Sequence, residues 1–282
     1  MNLNKKLGMF FFKNFNLFTY NVFNLLYKIV ISKKKSFSKI NNFITNGFEK
    51  TDIKIPDDII DKINTEINSQ PIKKKNYSKR FLINDKIKLE IEKIVNNHLS
   101  CLIDELEYYY QNNIKLSYSE ITRIYNADTN QEYNSNYFHT DGYLFTMFKV
   151  FINLQDVEEA HGPLQFFSYK DSKKFFSLNI KNIENYRIKP DSSNNINYFQ
   201  NTGYKGSVLA VMTPQVLHRA GNPERDLKRD ILFLEFVVIP KKKAKIINDL
   251  SQKNWNKDNY ISKIVSKPGT HRELLRSFFS YL

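Results

Sequence analysis

The second half of the chain contains a series of short apolar segments, each bounded by polar loops, and this pattern limits the folds that the chain can adopt. The segments are Ser119–Tyr125, Tyr143–Leu154, Leu164–Phe167, Gly206–Met212 and Asp230–Ile239. Their length and their turn-rich boundaries are typical of β-strands. The sequence therefore predicts a mainly β core over residues 116–240, flanked by helices.

A chain of this size can bury a substantial core. It has 282 residues, of which 41% are hydrophobic, enough for one domain of jelly-roll or barrel size with extensions, or for two smaller ones. We expect a single domain over residues 49–282. The only cysteine, Cys101, excludes a disulfide within the chain, and this composition is compatible with the reducing cytoplasm, where we expect the protein to reside.

The formal net charge of +14 does not by itself indicate a nucleic-acid-binding protein. Of the 43 basic residues only 8 are arginines, and the lysines are spread along a chain that is also rich in Asn, Ile, Tyr and Phe. A platform for single-stranded nucleic acid needs basic residues interleaved with aromatic ones. The dispersed charge therefore predicts no nucleic-acid partner.

The first 48 residues form a basic and aromatic N-terminal extension. Over residues 9–31 lysines and asparagines interrupt the apolar residues too often for a membrane span, which needs about 20 nearly uninterrupted apolar residues. No small-residue cleavage site follows, so a secretory signal is not predicted. Two interpretations stay open: a helix packed on the main domain, or a helix in peripheral contact with a membrane surface, aided by Lys33–Lys35.

Helical periodicity precedes and follows the predicted strands. Residues 52–110 form a helical lead-in, with one helix starting near Pro56–Asp58 and a second over about residues 85–110. The lysine-rich segment 241–282 is predicted to be helical as well. Residues 168–206 are irregular, and a loop of that length often serves as a lid or a binding loop.

Three side chains with metal-ligand chemistry lie among the predicted strands. His139 and Asp141 are two positions apart, so on a strand their side chains leave the same face about 7 Å apart. His218 follows the strand-like run that ends at Met212 and is the candidate for a third ligand. Two imidazoles and one carboxylate, with the remaining positions open, are the facial arrangement of non-heme Fe(II) oxygenases.

Two cations near these positions predict an anionic ligand. Lys149 shares strand parity with Asp141 and would point to the metal-bearing face, where a buried ammonium is costly without an anion nearby. Arg229 opens the last strand, and its guanidinium fork suits bidentate binding of a carboxylate. The alternative is that Arg229 pairs with a surface acid such as Asp226.

Candidate substrate residues follow from the same parity argument. Arg123 and Tyr125 share one face of their strand, and Arg219 and Arg225 lie near the expected mouth of the pocket. These side chains predict a small-molecule substrate that is anionic or linked to a carrier.

An ordered set of short motifs resembles the phytanoyl-CoA dioxygenase family over about residues 116–240. The motifs are His139-Thr-Asp141, Lys149-Val-Phe-Ile-Asn-Leu154, Gly162-Pro-Leu164, Gly206-Ser-Val-Leu209, His218-Arg219, and Arg229 eleven positions beyond His218. The resemblance implies a double-stranded β-helix of the jelly-roll or cupin-like type. It implies Fe(II) held by the two histidines and Asp141 of these motifs. It also implies 2-oxoglutarate as co-substrate, with Arg229 and Lys149 binding its carboxylates.

The activity that the resemblance implies is hydroxylation of a small-molecule or lipid-like substrate with release of succinate and CO2. Because Asp141 fills the carboxylate position, no vacancy remains for the halide that some similar proteins bind. The chain departs from the family pattern at Phe167–Ser172, where a Pro-Gly-Ser-His segment is common, and at Ser207, where an acidic residue is usual. Two other classes stay open: a zinc hydrolase with the same ligands, and a non-catalytic jelly-roll binding protein that retains the metal site.

Overall fold

The computed structural model describes residues 40–71, 77–110, 112–127, 136–141, 147–178, 183–184, 187–188 and 197–239. The N-terminal stretch 9–31 and the C-terminal segment 241–282 fall outside these ranges, so membrane contact and the terminal helix stay predictions. Within the part of the chain that the structure describes, no helix is long and apolar enough to span a membrane.

Helices lie mainly before the first long strand. They are α1 (Asn41–Asn46), α2 (Asp57–Asn68), α3 (Asp85–Lys93), a π-helical turn (Ile94–His98), α4 (Ser100–Tyr110) and α5 (Tyr169–Leu178). Asp57 and Asp58 occupy the first turn of α2, where carboxylates interact favourably with the helix dipole. The side chain of Asn84 caps α3 by accepting a hydrogen bond from the amide of Ile87 at 2.9 Å.

The strands are short apart from two long ones. They are β1 (Phe48–Lys54), β2 (Ser78–Phe81), β3 (Asn113–Tyr125), β4 (Phe148–Asn153), β5 (Gln165–Phe166), β6 (Ile183–Glu184), β7 (Arg187–Ile188), β8 (Phe199–Gln200), β9 (Ser207–Val211), β10 (His218–Arg219) and β11 (Lys228–Ile239). A six-stranded sheet has the order β1-β9-β4-β11-β3-β2, and a three-stranded sheet has the order β10-β5-β8. All the pairings in these two sheets are antiparallel.

The helical lead-in contains two strands that the sequence reading missed. β1 pairs with β9 and β2 pairs with β3, so both belong to the six-stranded sheet. Ile40 and Phe43, which lie before residue 48, are fully buried in the main core. Both strands are polar and short, and their pairing with distant strands leaves little trace in local periodicity.

The segment 168–206 is also more regular than expected. It contains helix α5 and three two-residue strands, β6 to β8. Phe175 of α5 packs in a second, smaller core with Phe138, Phe167, Ile188 and Leu217. The described part of this segment is therefore packed against the domain, in place of the irregular loop that the sequence suggested.

The two faces of the six-stranded sheet differ in chemistry. The outer face carries apolar residues such as Ile121, Ile152 and Leu232, which share one core with the buried isoleucines of α2 and α3. On the inner face, strand register aligns Lys149 with Glu235 and places Arg229 on the same side of β11. Lys149, Glu235 and Arg229 thus share the face opposite to the one that packs against α2 and α3.

The small sheet is anchored to the inner face by aromatic contacts. The ring of Phe48 on β1 lies 4.9 Å from that of Phe166 on β5 and 4.7 Å from that of Phe199 on β8. Gly162, with φ of 61°, allows the turn before β5 to approach the backbone of Asn222. A β-carbon at Gly162 would lie 2.3 Å from that backbone, so a larger residue would displace the turn. Two antiparallel sheets in face-to-face contact are the architecture of a jelly roll.

Candidate metal centre

His139, Asp141 and His218 meet between the two sheets. Each offers one ligand atom, and the three atoms lie within 4.8 Å of one another. His139 and His218 exchange backbone hydrogen bonds of 3.0 and 2.9 Å, and the amide of Asp141 donates to the carbonyl of Thr213 at 3.0 Å. Backbone pairing between positions 139 and 218, which are 79 residues apart, therefore brings together the three residues that the sequence singled out.

Backbone carbonyls orient both imidazoles. Nδ1 of His139 lies 2.8 Å from the carbonyl oxygen of Tyr137, and Nδ1 of His218 lies 3.0 Å from that of Val216. A carbonyl oxygen can only accept, so each Nδ1 carries the proton and each Nε2 keeps its lone pair. Such carbonyl partners are the usual supports of metal-binding histidines.

Burial keeps both imidazoles neutral. Burial, together with the neighbouring His218, lowers the pKa of His139 from 6.5 to about 3. Burial also lowers the pKa of His218. A neutral imidazole is the form that binds a metal, so both rings are ready as ligands at neutral pH.

Lys149 contacts the carboxylate of the triad. Its Nζ lies 2.8 Å from Oδ2 of Asp141 and 4.0 Å from Oε2 of Glu235. Burial opposes ionisation of Asp141, but the combined effects of Lys149, His218 and Thr213 outweigh burial and lower the pKa of the carboxyl. Burial likewise opposes the charge of Lys149, but the combined effects of Asp141, Glu235 and Glu120 outweigh it and raise the pKa of the ammonium. The anion that the sequence required near Lys149 is thus partly supplied by the fold itself.

Arg229 is a buried cation of a different kind. Its side chain is 3% exposed, and neither Nε nor Nη1 has a hydrogen-bond partner among the described residues. Burial lowers the pKa of Arg229 to about 10. The surface acid Asp226, which was the alternative partner, forms its ion pair with Arg225. A buried guanidinium without an anion is costly, so this position favours an anionic ligand.

Strand register sets the separation of the two cations. Lys149 is opposite Glu235 in the pairing of β4 with β11, and Arg229 lies six residues before Glu235 on β11. Six residues of antiparallel strand span about 20 Å between Cα atoms. Lys149 is at the triad, so Arg229 approaches the inner face from the far end of the same strand pair.

Arg123 does not reach this face. It pairs with Asp230 in the register of β3 and β11, whereas Arg229 pairs with Ile124, so the two arginines point to opposite sides of the sheet. Nε and Nη2 of Arg123 contact the two carboxylate oxygens of Asp230 at 2.6 and 2.8 Å. This bidentate pair gives Arg123 a structural role in place of the substrate-binding role suggested by the sequence.

Tyr125 and Arg219 also point away from the triad. Tyr125 shares the face of Arg123, two residues earlier on β3. Arg219 follows His218 on β10 and so projects from the opposite side of that strand. Its guanidinium lies 4.5 Å from the ring of Phe138 and its Nε donates to Gln165 at 2.6 Å. Arg123, Tyr125 and Arg219 therefore do not face the triad, and an anionic substrate stays a prediction.

Two acidic residues of the inner face were not among the site residues predicted from the sequence. Glu235 is fully buried, and Glu120 accepts hydrogen bonds from the hydroxyls of Tyr118 and Thr122 at 2.7 and 2.9 Å. The only signal for Glu235 was one charge within the most hydrophobic strand of the chain. An acid in such a strand is costly unless it is paired, so it predicts a buried cation nearby.

Comparisons with known proteins bear on the fold. No protein-family model matches the sequence, and no significant match is found among curated protein sequences. The fold is similar to the crystal structure of EctD from S. alaskensis with 2-oxoglutarate and 5-hydroxyectoine. The identity is 12% and the TM-score 0.51, over 74% of this chain and 80% of that one.

A second similar structure is EvdO2 from Micromonospora carbonacea var. aurantiaca. The identity is 9% and the TM-score 0.50, over 72% of this chain and 91% of that one. At these identities the likeness concerns the fold. It confirms the prediction of a mainly β domain with flanking helices and a double-stranded β-helix core, on which a His-Asp-His cluster capable of holding a metal ion is assembled.

Proposed function

We propose that the protein is an Fe(II)- and 2-oxoglutarate-dependent oxygenase, similar to phytanoyl-CoA dioxygenases, that hydroxylates a small-molecule or lipid-like substrate. One observation carries the proposal. A cluster of two neutral imidazoles and a carboxylate faces the same interior as Arg229, a buried guanidinium with orphaned Nε and Nη1 among the described residues. A keto acid co-substrate requires a metal site beside a cation that can bind its carboxylate.

The residues present fit ferrous iron. Nε2 of His139, Nε2 of His218 and a carboxylate oxygen of Asp141 form a mixed nitrogen and oxygen donor set that leaves coordination positions for other ligands. When bound, the iron would supply redox chemistry in which dioxygen is the oxidant, one of its oxygen atoms entering succinate as the keto acid loses CO2 and the other forming the hydroxyl group on a substrate C–H bond. EctD, which has this fold, was crystallised with 2-oxoglutarate.

The two inner-face cations suit the two ends of a diacid. Lys149 is at the triad, and Arg229 lies about 20 Å along the strand pair when measured between Cα atoms. Both side chains are long, so their charged groups can converge on a ligand that is much shorter than this distance. In this arrangement Arg229 binds the distal carboxylate in bidentate fashion, and Lys149 faces the carboxylate nearer the metal.

An anaerobic titration tests the proposal. Addition of Fe(II) and 2-oxoglutarate to the wild-type protein is expected to give a weak visible charge-transfer band, because the keto acid binds the iron directly. A zinc hydrolase gives no such band, and neither does a binding protein that only retains the metal site. Absence of the band at saturating iron and 2-oxoglutarate would exclude the oxygenase.

The variant Arg229→Ala tests the distal clamp. Loss of two charge-assisted hydrogen bonds is expected to weaken 2-oxoglutarate binding about 100-fold, while Fe(II) binding is retained. The matched control is Arg225→Ala, because the side chain of Arg225 is 93% exposed and forms an ion pair with exposed Asp226. An unchanged band in Arg229→Ala would remove this residue from co-substrate binding and leave the metal assignment standing.

A further inference from the structure

The ammonium of Lys149 contacts the carboxylate oxygen of Asp141 that faces His218. Its Nζ lies 2.8 Å from Oδ2 of Asp141, and that same oxygen lies 3.9 Å from Nε2 of His218. A metal ion shared by Asp141 and His218 needs lone pairs on the oxygen that faces the imidazole. The ammonium and a metal ion therefore compete for one carboxylate oxygen.

The pocket wall holds the ammonium near this oxygen. The side chain of Lys149 is only 12% exposed, and its Nζ lies 4.8 Å from the ring centre of Phe233. Fully buried Glu235 presents Oε2 at 4.0 Å from the same Nζ. Cation–π and ionic contacts are stronger when water is excluded, so the ammonium can leave Asp141 and still remain in the pocket.

Charge repulsion makes the two cations exclusive at Asp141. An ammonium and a divalent ion on the same oxygen would be only a few ångströms apart in a site with little water, where like charges repel strongly. Metal entry must therefore move Lys149 away from Oδ2. The displaced ammonium then faces Glu235 and needs a second anion to replace Asp141.

We propose that Lys149 is a resident cation that the metal displaces from Asp141, and that the displaced ammonium binds the carboxylate that 2-oxoglutarate places beside the metal. The second half of this inference rests on the proposed function, whereas the displacement step does not. Because Lys149 opposes metal binding and assists co-substrate binding, it makes the two binding events reciprocally favourable. Lys149 is a positioning residue in this scheme.

A graded series of variants tests the displacement without any co-substrate. The probe is Mn²⁺, which suits the same ligands and leaves an EPR signal when free in solution. Lys149→Met removes the competing cation and is expected to tighten Mn²⁺ binding about tenfold. Lys149→Arg places a bidentate guanidinium against Asp141 and is expected to weaken Mn²⁺ binding severalfold. The affinity for Mn²⁺ is expected to be highest in Lys149→Met, intermediate in wild type and lowest in Lys149→Arg.

The control separates local competition from net charge. Lys205→Met also removes one positive charge, but Lys205 pairs with Asp61 at 3.0 Å on the surface. Its Mn²⁺ affinity is expected to stay within about twofold of wild type, because exposed charges are screened. If Lys149→Met does not fold, the comparison of Lys149→Arg with wild type still decides. Equal affinities for wild type and the soluble Lys149 variants would overturn the displacement.

The coupling is measured by repeating the Mn²⁺ titrations with saturating 2-oxoglutarate. In wild type the co-substrate is expected to increase Mn²⁺ affinity about tenfold more than it does in Lys149→Met. An equal increase in both proteins would overturn the role of Lys149 in co-substrate binding.

The two proposals fail in different ways. A correct affinity series without a charge-transfer band in the iron titration would reject the oxygenase and keep the displacement. A normal band with a flat affinity series would reject the displacement and keep the oxygenase.

Discussion

Arg123 and Arg229 lie on neighbouring positions of the same strand pair and are buried to the same extent, yet their hydrogen-bond partners differ. Each is 3% exposed. Arg123 binds both oxygens of Asp230 and also the side-chain oxygen of Asn68 at 2.7 Å. Arg229, on the other face of the sheet, has two nitrogens with no partner among the residues that the structure describes.

This difference in partners distinguishes an arginine that stabilises the fold from one that is available to a ligand. A buried ion pair with all its hydrogen bonds made is self-sufficient, and its removal leaves a defect in the fold. A buried charge without a partner reduces the stability of the empty protein and is retained where a ligand supplies the missing charge. The exposed fractions of the two arginines are equal, and their hydrogen-bond partners distinguish them.

The largest expected effect comes from breaking the outer pair. Asp230→Ala leaves the guanidinium of Arg123 buried and unpaired, and is expected to lower the free energy of unfolding by about 3–5 kcal/mol in urea titrations. The control is Asp104→Ala on the exposed surface of α4, which is expected to change it by about 0.5 kcal/mol or less. A loss below about 1 kcal/mol for Asp230→Ala would mean that Arg123 is not held by this pair.

The inner arginine is expected to respond with the opposite sign. Arg229→Met removes an uncompensated buried charge, so the free energy of unfolding of the ligand-free protein should rise by about 1 kcal/mol. Arg123→Met, the matched replacement on the outer face, should lower it because Asp230 loses its partner. A clear loss of stability in Arg229→Met would show that the guanidinium already has a partner in the ligand-free protein, and would contradict the contrast between the two arginines.

The smallest expected effect concerns the pH dependence of the metal-free protein near neutrality. Burial places the folded-state pKa of His139 at about 3 and lowers that of His218, so the unfolded chain binds more protons below its own histidine pKa of 6.5. Stability is therefore nearly constant well above pH 6.5 and is lost as pH falls through that value. Between pH 7.5 and pH 6.5 the loss should be about 0.4 kcal/mol for each histidine.

Urea titrations of the metal-free protein at several pH values measure this effect. His139→Gln is expected to reduce the pH dependence, because one of the two neutral imidazoles is gone. Stability that rises as pH falls through this range would contradict neutral imidazoles in the folded state.

Much of the fold could be predicted because the strands of the core have strong local signals. β4, β9 and β11 are apolar runs bounded by turns, and the structure places each of them in the six-stranded sheet. β1 and β2 were missed because their side chains are mostly exposed or half-buried, so they lack the apolar alternation that identifies a strand. What makes them strands is pairing with β9 and β3, which are distant in sequence.

The residues of the candidate site likewise fall into those that could be predicted from the sequence and those that could not. His139, Asp141 and His218 could be selected by chemistry and motif order, Lys149 by the cost of burying a cation, and Arg229 by its guanidinium fork. Arg123 and Tyr125 were selected by parity within one strand, and Arg219 by its expected place at the mouth of the pocket. Parity says which residues of a strand share a side, but it does not say which side faces the metal.

By itself, the sequence determined which side chains have metal, acid and guanidinium chemistry and where the apolar strands lie, because both depend on residue type and local spacing. Only the tertiary structure decided which buried cations have partners. That outcome depends on the register between β3 and β11, which sets Arg123 against Asp230 and Arg229 against Ile124. A shift of one residue in this register would exchange the faces.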